Sequence, residues 1–316
     1  MAGILRQIFR YRESSIIVML LVVAIYLTFA SEYFLSQRNL MNILRQGSVV
    51  AIVALGQALV IIARGIDLSV GSVIGLSAVC GALVMGATGS DLLGLLAGLG
   101  TGAVAGALNG IMVTRFRINP FIATLGMLSI ARGVALLLTG GFPVPYSGWV
   151  EWLGAGRIGG VPVSVVVMAV MVVLVHIAAT RSVIGREIYA VGDNPKAARL
   201  AGINVARIRI AVFTFCGLLA GLGGIILGGN LASADPNLGM GYELDVIAAV
   251  ILGGTALSGG RGSIIGVLIG AMLMALLNNG FVLLGVSAYW QVVTKGLIII
   301  LAVGIDGLQR GADEDD

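Results

Sequence analysis

Four acidic or hydroxyl side chains stand within or beside long apolar stretches, and their positions are the first indication of chemistry. Asp67 and Ser69 follow Arg64, while Glu243 and Asp245 open a later apolar segment. An ionised side chain at the centre of a membrane span costs about 2.5 to 3.5 kcal/mol unless it faces water or a partner. Such carboxylates predict one of three features. They could mark helix breaks that line a solute path, sites of proton coupling, or helix-capping turns at a membrane face.

Motifs for covalent catalysis or nucleotide hydrolysis are not found in the sequence. There is no G-x-x-x-x-G-K-[ST] phosphate loop, and Lys196 and Lys295 are the two lysines of the chain. His176 has no Cys, Asp or Glu at ligand spacing, and Cys80 and Cys216 both lie in apolar segments. We therefore expect no catalytic activity by the chain alone, no metal site, no disulfide and no cofactor.

The composition requires a lipid environment for this chain. Of 316 residues, 58% are hydrophobic and 11% charged, and the mean hydropathy is +1.06. The apolar segments are too long and too uniform for barrel strands, so the predicted fold class is an all-α polytopic membrane protein. The pI near 9.3 comes from basic residues beside membrane spans and indicates no nucleic-acid partner.

Ten apolar segments are long enough to be counted as membrane spans. They cover residues 16–35, 47–64, 70–88, 91–114, 121–140, 161–179, 210–230, 244–258, 263–282 and 289–305. The basic residues that flank them predict both termini in the cytoplasm and the stretch 142–160, with two tryptophans, outside. Although Thr28-Phe-Ala30 is a possible cleavage site, the first span is interpreted as an uncleaved helix.

The polar stretch 180–209 separates two long apolar halves of the sequence. It contains six basic and two acidic residues, a net charge of 6 − 2 = +4, and is therefore predicted to be a cytoplasmic loop. Asn194 can cap a short helix that begins at Pro195 and stops at Gly202. A helix of about two turns is marginal in water, so it is expected to lie either on its own protein or on a soluble partner.

Glycine is abundant, with 48 residues, and in some segments it recurs every fourth residue. The register is clearest in the fourth span, at Gly94, Gly98, Gly102, Gly106 and Gly110. A helix face without side chains allows another backbone to approach closely. We expect this face to pack within the subunit rather than between subunits.

Four sequence motifs resemble those of the permease subunits of bacterial ribose-type ABC importers. They are GIDLSVGS at 65–72, NPFIATLG at 119–126, AVGDNPKAARLAGINV at 190–205 and GYELDVIAAVILGGT at 241–255. The resemblance extends over residues 16–308. It implies a fold of about ten transmembrane helices like that of type II importer permeases, a single permease domain spanning 1–316, and residence in the bacterial inner membrane. It departs from relatives at 192–195, where they often have Gly-Gly-Asn.

The resemblance also implies partners and functional residues. The expected partners are a second permease, identical or homologous, two cytoplasmic ATPase subunits and a periplasmic sugar-binding protein. The helix at 194–202 would dock on the ATPase with Ala198 on its docking face, and the coupling residues would be Asp193, Asn194, Pro195, Ala197, Ala198, Arg199 and Gly202. Polar residues for a weak sugar site in the path would be Asn119, Tyr242, Asn278 and Asn279.

Two other function classes remain open from the sequence. An ion-coupled secondary transporter of a small solute would use Asp67, Glu243 or Asp245 as its protonatable group, but it needs no docking helix. A membrane scaffold without transport activity explains the interrupted helices poorly.

Overall fold

The computed structural model describes residues 12–314, and helices account for most of them. Long apolar runs bounded by Ser, Asn and Gly caps form these helices, as the capping preferences of the residues require. In chain order the described elements are α1 (Arg12–Ala30), α2 (Gln37–Ile62), α3 (Val70–Thr88), α4 (Asp91–Thr114), α5 (Pro120–Thr139), β1 (Val144–Pro145), α6 (Trp149–Ala155), β2 (Arg157–Ile158), β3 (Val161–Pro162), α7 (Val163–Arg181), α8 (Val183–Asp193), α9 (Pro195–Leu200), α10 (Val205–Leu231), β4 (Ser233–Ala234), α11 (Tyr242–Leu252), α12 (Ile264–Leu283) and α13 (Ala288–Glu314).

Seven of the described helices are long and apolar enough to cross a membrane: α2, α3, α4, α5, α7, α10 and α12. Shorter apolar stretches lie in α1 (Ser15–Ala30) and α13 (Ala288–Leu301). The chain is therefore an all-α polytopic membrane protein. The predicted bounds 70–88 and 91–114 agree with α3 and α4, whereas α2 begins ten residues before the predicted 47 because Ser36 caps it.

The predicted span 244–258 is wrong as a continuous helix. The helix in this region, α11, has 11 residues and ends at Leu252. At 1.5 Å per residue it is about 16 Å long, roughly half the thickness of a bilayer core. The segment after it turns at Gly254, Gly259 and Gly260, all with positive φ, before α12 begins. A glycine-rich series of turns thus separates α11 from α12.

The two ends of the helix bundle differ in arginine content, and Arg64, Arg117, Arg199 and Arg209 lie at one of them. At one end, called here the basic end, the amide of Gly260 donates to the carbonyl of Ile62 at 2.9 Å, and Arg64 donates to the carbonyls of Gly192 and Asp193. These contacts join the end of α2, the end of α8 and the turn before α12. The opposite end carries the antiparallel pair β1–β4, the separate pair β2–β3 and the short helix α6.

Close backbone packing of α4 against α10 forms the centre of the bundle. A Cβ atom added at Gly102 would collide with the carbonyl oxygen of Gly217, and one at Gly106 with that of Phe213. Gly221 in turn faces the carbonyl of Gly98. The glycine register of the fourth span therefore does pack within the subunit, as predicted.

Candidate functional site

The short helix predicted after Asn194 is present as α9, and local capping explains its bounds. The Asn194 side chain, on an extended backbone, accepts hydrogen bonds from the amides of Lys196 at 3.0 Å and Ala197 at 3.1 Å. Pro195 occupies the first turn, where its missing amide hydrogen is not needed. The helix ends before Gly202, whose φ of 84° is readily accessible only to glycine.

The helix α9 is attached to the bundle by its neighbours. Its start follows α8 directly, and Arg64, after α2, donates from Nε to the Gly192 carbonyl at 2.5 Å and from Nη2 to the Asp193 carbonyl at 2.6 Å. Gly192 approaches the Ile62 carbonyl so closely that a side chain there would collide with it. A displacement of α9 would therefore be passed to the end of α2.

The expected docking face of α9 is wrong at one residue. Ala198 is only 4% exposed and lies in the same buried cluster as Val205 and Ile208 of α10, so it faces this protein and not a partner. The exposed residues of the region are Asp193, Asn194, Lys196, Ala197, Arg199, Leu200, Ala201 and Gly202. Leu200 is 91% exposed, so its apolar side chain is accessible to a partner.

The stretch 180–209 is not a loop, because α8 occupies residues 183–193 and α10 already begins at Val205. Ser182 caps α8 by accepting from the Gly185 amide at 2.9 Å. Its buried face repeats every three residues at Gly185, Ile188 and Val191. That spacing and the serine cap are visible in the sequence and could have revealed the helix.

Tyr189 attaches α8 to the turn before α12. Its hydroxyl donates to the Gly262 carbonyl at 2.9 Å, and burial raises the pKa of this phenol above its ordinary value. The raised pKa favours the neutral form of Tyr189, which is the form that can donate this hydrogen bond. Through α8, the short helix α9 is linked to the start of α12 as well as to the end of α2.

Asp67 and Ser69 lie in the predicted break between α2 and α3, and both are fully buried. The Asp67 carboxylate accepts from the Ser69 amide at 2.8 Å, the Ser69 hydroxyl at 2.6 Å and the Asn109 amide group at 3.2 Å. When the Gln57 side chain is oriented so that both its nitrogen and its oxygen have partners, the nitrogen donates to the Asp67 carbonyl and the oxygen accepts from the Asp67 amide, each at 3.2 Å. This arrangement holds a turn together and gives Asp67 no exposed surface.

The segment before α11 enters the bundle from the opposite end. It follows β4, which pairs with β1. Farther along, Gly239 and Glu243 contact Gly71, near the start of α3, and leave no room for a side chain at Gly71. Arg132 of α5 donates to the carbonyls of Pro236 at 2.5 Å and Leu238 at 3.1 Å. The segment 235–241 is thus a partly buried series of turns, in which the amides of Leu238 and Met240 donate to carbonyls three residues earlier. Arg132 supplies a further part of its hydrogen bonding.

Asp245, Asn278 and Lys295 meet between α11, α12 and α13. Lys295 Nζ lies 2.8 Å from Asp245 Oδ2, and Asn278 donates to the same oxygen at 3.3 Å. The neighbouring Asn279 points elsewhere and exchanges two hydrogen bonds with Asn39 of α2, at 2.8 and 3.1 Å. Consecutive asparagines therefore serve two separate polar contacts.

The eight residues expected in the path or at helix breaks are not brought together in one site. Asp67, Ser69, Asp245 and Asn279 are buried between helices, and Tyr242, Glu243 and Asn278 are half-buried. Asn119 is exposed at the basic end and caps α5 by accepting from the Phe121 amide at 2.9 Å. Sequence reasoning missed Arg132 and Lys295, although each is a lone charge in an apolar segment and thus carries the signal used for Asp67.

Over the part of the chain that the structure describes, no group of three or more His, Cys, Asp or Glu residues could hold a metal ion. Cys80 and Cys216 are free thiols. His176 is half-buried on α7. Nothing in these side chains assembles a catalytic arrangement.

The fold and its membrane-spanning helices define a multi-pass helical membrane protein, and comparison with known proteins supplies its family. Residues 39–303 match the family model described as the permease component of branched-chain amino acid transport systems. The chain belongs to this family and, within it, to the permeases of ribose-type ABC importers. No solved structure matches it significantly.

Curated relatives cover almost the whole chain. The ribose import permease of Escherichia coli (strain K12) is 46% identical over 304 residues, or 94% of each chain. The ribose import permease of Bacillus subtilis (strain 168) is 41% identical and covers 91% of this chain and 90% of its own. The galactose/methyl galactoside import permease of Haemophilus influenzae is 36% identical, covering 94% and 95% respectively.

Proposed function

We propose that the chain is the membrane subunit of an ATP-driven importer and forms the path for a monosaccharide or similar small polyol. The observation that carries this proposal is the identity of 46% to a ribose import permease over 94% of both chains. Relatives named for ribose, galactose and allose agree on the class of solute but not on one sugar. The whole chain, 1–316, acts as one permease domain in the bacterial inner membrane.

The partners follow from this class of transporter. A second permease, identical or homologous, completes the path, a periplasmic binding protein delivers the sugar, and two cytoplasmic ATPase subunits supply energy. The exposed part of α9, with Leu200 at its end, is the docking element for an ATPase. Support comes from its attachments: Arg64 links it to α2, and Tyr189 links α8 to the start of α12. Closure of the ATPase dimer can thereby move several helices together.

The topology that we propose has ten crossings, with both termini and the basic end in the cytoplasm. The eighth crossing combines the turns at 235–241 with the half-length helix α11. Its support is the continuity of contacts from β4 at the opposite end to Gly260 at the basic end. The excess of arginine at the basic end agrees with the positive-inside rule.

Cysteine labelling in intact cells tests this topology. In a chain with Cys80 and Cys216 replaced by alanine, we expect an impermeant maleimide to label Ser147→Cys but not Arg186→Cys, since both sites are exposed and lie at opposite ends. Permeabilised cells provide the control, because both sites should then react. Labelling of Arg186→Cys alone in intact cells would invert the proposed orientation.

A substitution at Leu200 tests the docking role. Leu200→Glu places a charge on the exposed apolar end of α9 without touching the core, so we expect the permease to fold, ATPase co-purification to fall by about tenfold or more, and sugar uptake to fall with it. Ile158→Glu is the matched control, because Ile158 is 50% exposed in the β2–β3 pair at the opposite end. Equal ATPase recovery from both variants would contradict the docking role.

Reconstitution of the permease in proteoliposomes separates the proposed function from ion-coupled transport. Uptake by the complete complex should require ATP, and a proton gradient imposed on the permease alone should drive none. Concentrative uptake driven by protons without an ATPase would instead favour a secondary transporter. The structure offers such a carrier little support, because Asp245 is ion-paired with Lys295 and Asp67 is enclosed by hydrogen-bond donors.

A further inference from the structure

A cavity of about 440 Å³ opens at the basic end beside α9, and of the exposed α9 residues it includes Arg199. The end of α4, the start of α5, the end of α9 and the start of α10 enclose it. The polar groups in its wall are those of Thr114, Arg117, Asn119, Arg199 and Arg209. No aspartate or glutamate lines it, so three guanidinium groups share one space.

The arginines of this cavity differ from Arg64 and Arg132 in their hydrogen-bond acceptors. Arg64 and Arg132 each donate to two backbone carbonyls. By contrast, Arg209 Nε is buried without a hydrogen-bond acceptor in the described chain. Among residues 12–314, no ion pair involves Arg117, Arg199 or Arg209. A buried, unpaired cationic N–H group is costly, and a bound anion would remove that cost.

Two long helices add to the positive potential. The 20-residue α5 and the 27-residue α10 both begin at the cavity, with Pro120, Val205 and Ala206 in its wall. A helix N-terminus has a partial positive charge. The potential in the cavity is therefore the sum of three side chains and two helix ends.

We propose that this cavity binds a phosphate group, supplied by an anionic phospholipid or by free phosphate. Guanidinium groups form paired, charge-assisted hydrogen bonds with phosphate oxygens, and the cavity is within the size range of small-molecule sites. Exposed apolar side chains follow or precede the lining residues in the chain at the ends of α4 and α5, where Phe116 is 68%, Phe121 51% and Ile122 63% exposed. A headgroup phosphate would enter from the membrane boundary with its acyl chains beside these residues.

The test uses the purified full-length permease without ATPase, so that its outcome is independent of the docking role of α9. In the lipid arm, phosphatidylglycerol or phosphatidylcholine is added and retained lipid is counted by native mass spectrometry. In the second arm, inorganic phosphate replaces chloride at equal ionic strength and the midpoint of thermal unfolding is measured. Arg209→Gln and Arg117→Gln each remove one cavity charge, and Arg186→Gln, exposed on α8, removes one charge elsewhere.

We expect the permease to retain phosphatidylglycerol over phosphatidylcholine, and each cavity variant to lower that preference by about tenfold, whereas Arg186→Gln leaves it unchanged. A thermal shift by inorganic phosphate that is lost in the cavity variants, without a lipid preference, would identify free phosphate as the source. If neither arm distinguishes the cavity variants from Arg186→Gln, the proposal is wrong.

Discussion

Gly102→Val should prevent normal assembly of the helix bundle. Its first added carbon would collide with the Gly217 carbonyl oxygen and lie 3.0 Å from the Cα of Gly221, both backbone atoms of α10. Because backbone cannot move aside as a side chain can, α4 and α10 would have to separate, at the centre of the bundle. Overpacking usually costs about 1 to 3 kcal/mol, and we expect this site to reach or exceed the upper figure.

The measurement is the fraction of monodisperse permease after solubilisation, together with its midpoint of thermal unfolding. Gly100→Val is the matched control: it lies in the same helix, makes the same change in helix propensity, and an added Cβ meets nothing within 4 Å. The control should resemble the unaltered protein. Equal recovery of the two variants would mean that the α4–α10 contact tolerates separation.

The parts of the fold that local sequence determines could be predicted. The bounds of α3 and α4 were correct because a long apolar run ends at recognisable signals, such as Gly89 in a left-handed conformation and Ser90 as an N-cap. The helix α9 was predictable for the same reason, from Asn194, Pro195 and Gly202. In each case, residues within one or two turns decide the structure.

The parts that depend on tertiary contacts could not be predicted. A count of apolar residues does not distinguish the short α11 and the turns after it from one continuous span. Hydrogen bonds from Arg132, about a hundred residues earlier in the chain, help to stabilise the turns at 235–241 that precede α11. The burial of Ala198 likewise results from packing beside Val205 and Ile208, and nothing near Ala198 in the sequence indicates it.

In the candidate site, too, some interactions follow from local sequence and others depend on tertiary contacts. The hydrogen bonds of Asp67 to Ser69 are local and agree with the predicted helix break, whereas the one from Asn109 comes from α4, 42 residues away. Asp245 was singled out as a charge in an apolar segment, but its partner Lys295 lies 50 residues away. The polar side chains in the sequence therefore indicated where interactions occur, but the tertiary fold determined the partner of each side chain.

Replacing Lys295 by methionine should strongly destabilise the protein, because it removes the cation that faces a buried carboxylate. Lys295 Nζ and Asp245 Oδ2 are 2.8 Å apart, with side chains 19% and 5% exposed. Breaking a buried pair by removing one partner typically costs about 3 to 5 kcal/mol, since the other charge remains without compensation. Asn278, at 3.3 Å, offers a single neutral donor to Asp245 and cannot replace an ammonium group.

The double variant Lys295→Met with Asp245→Asn separates the charge effect from simple loss of contact. Neutralising both members removes the uncompensated charge, so the double variant should regain most of the unfolding midpoint that Lys295→Met loses, and Asp245→Asn alone should also be destabilised. Lys196→Met is the matched control, since Lys196 is exposed on α9 and forms no ion pair among the described residues. If the double variant is as unstable as the sum of the two single variants, the pair carries no coupling energy. The attachment of α13 to α11 would then rest on apolar packing alone.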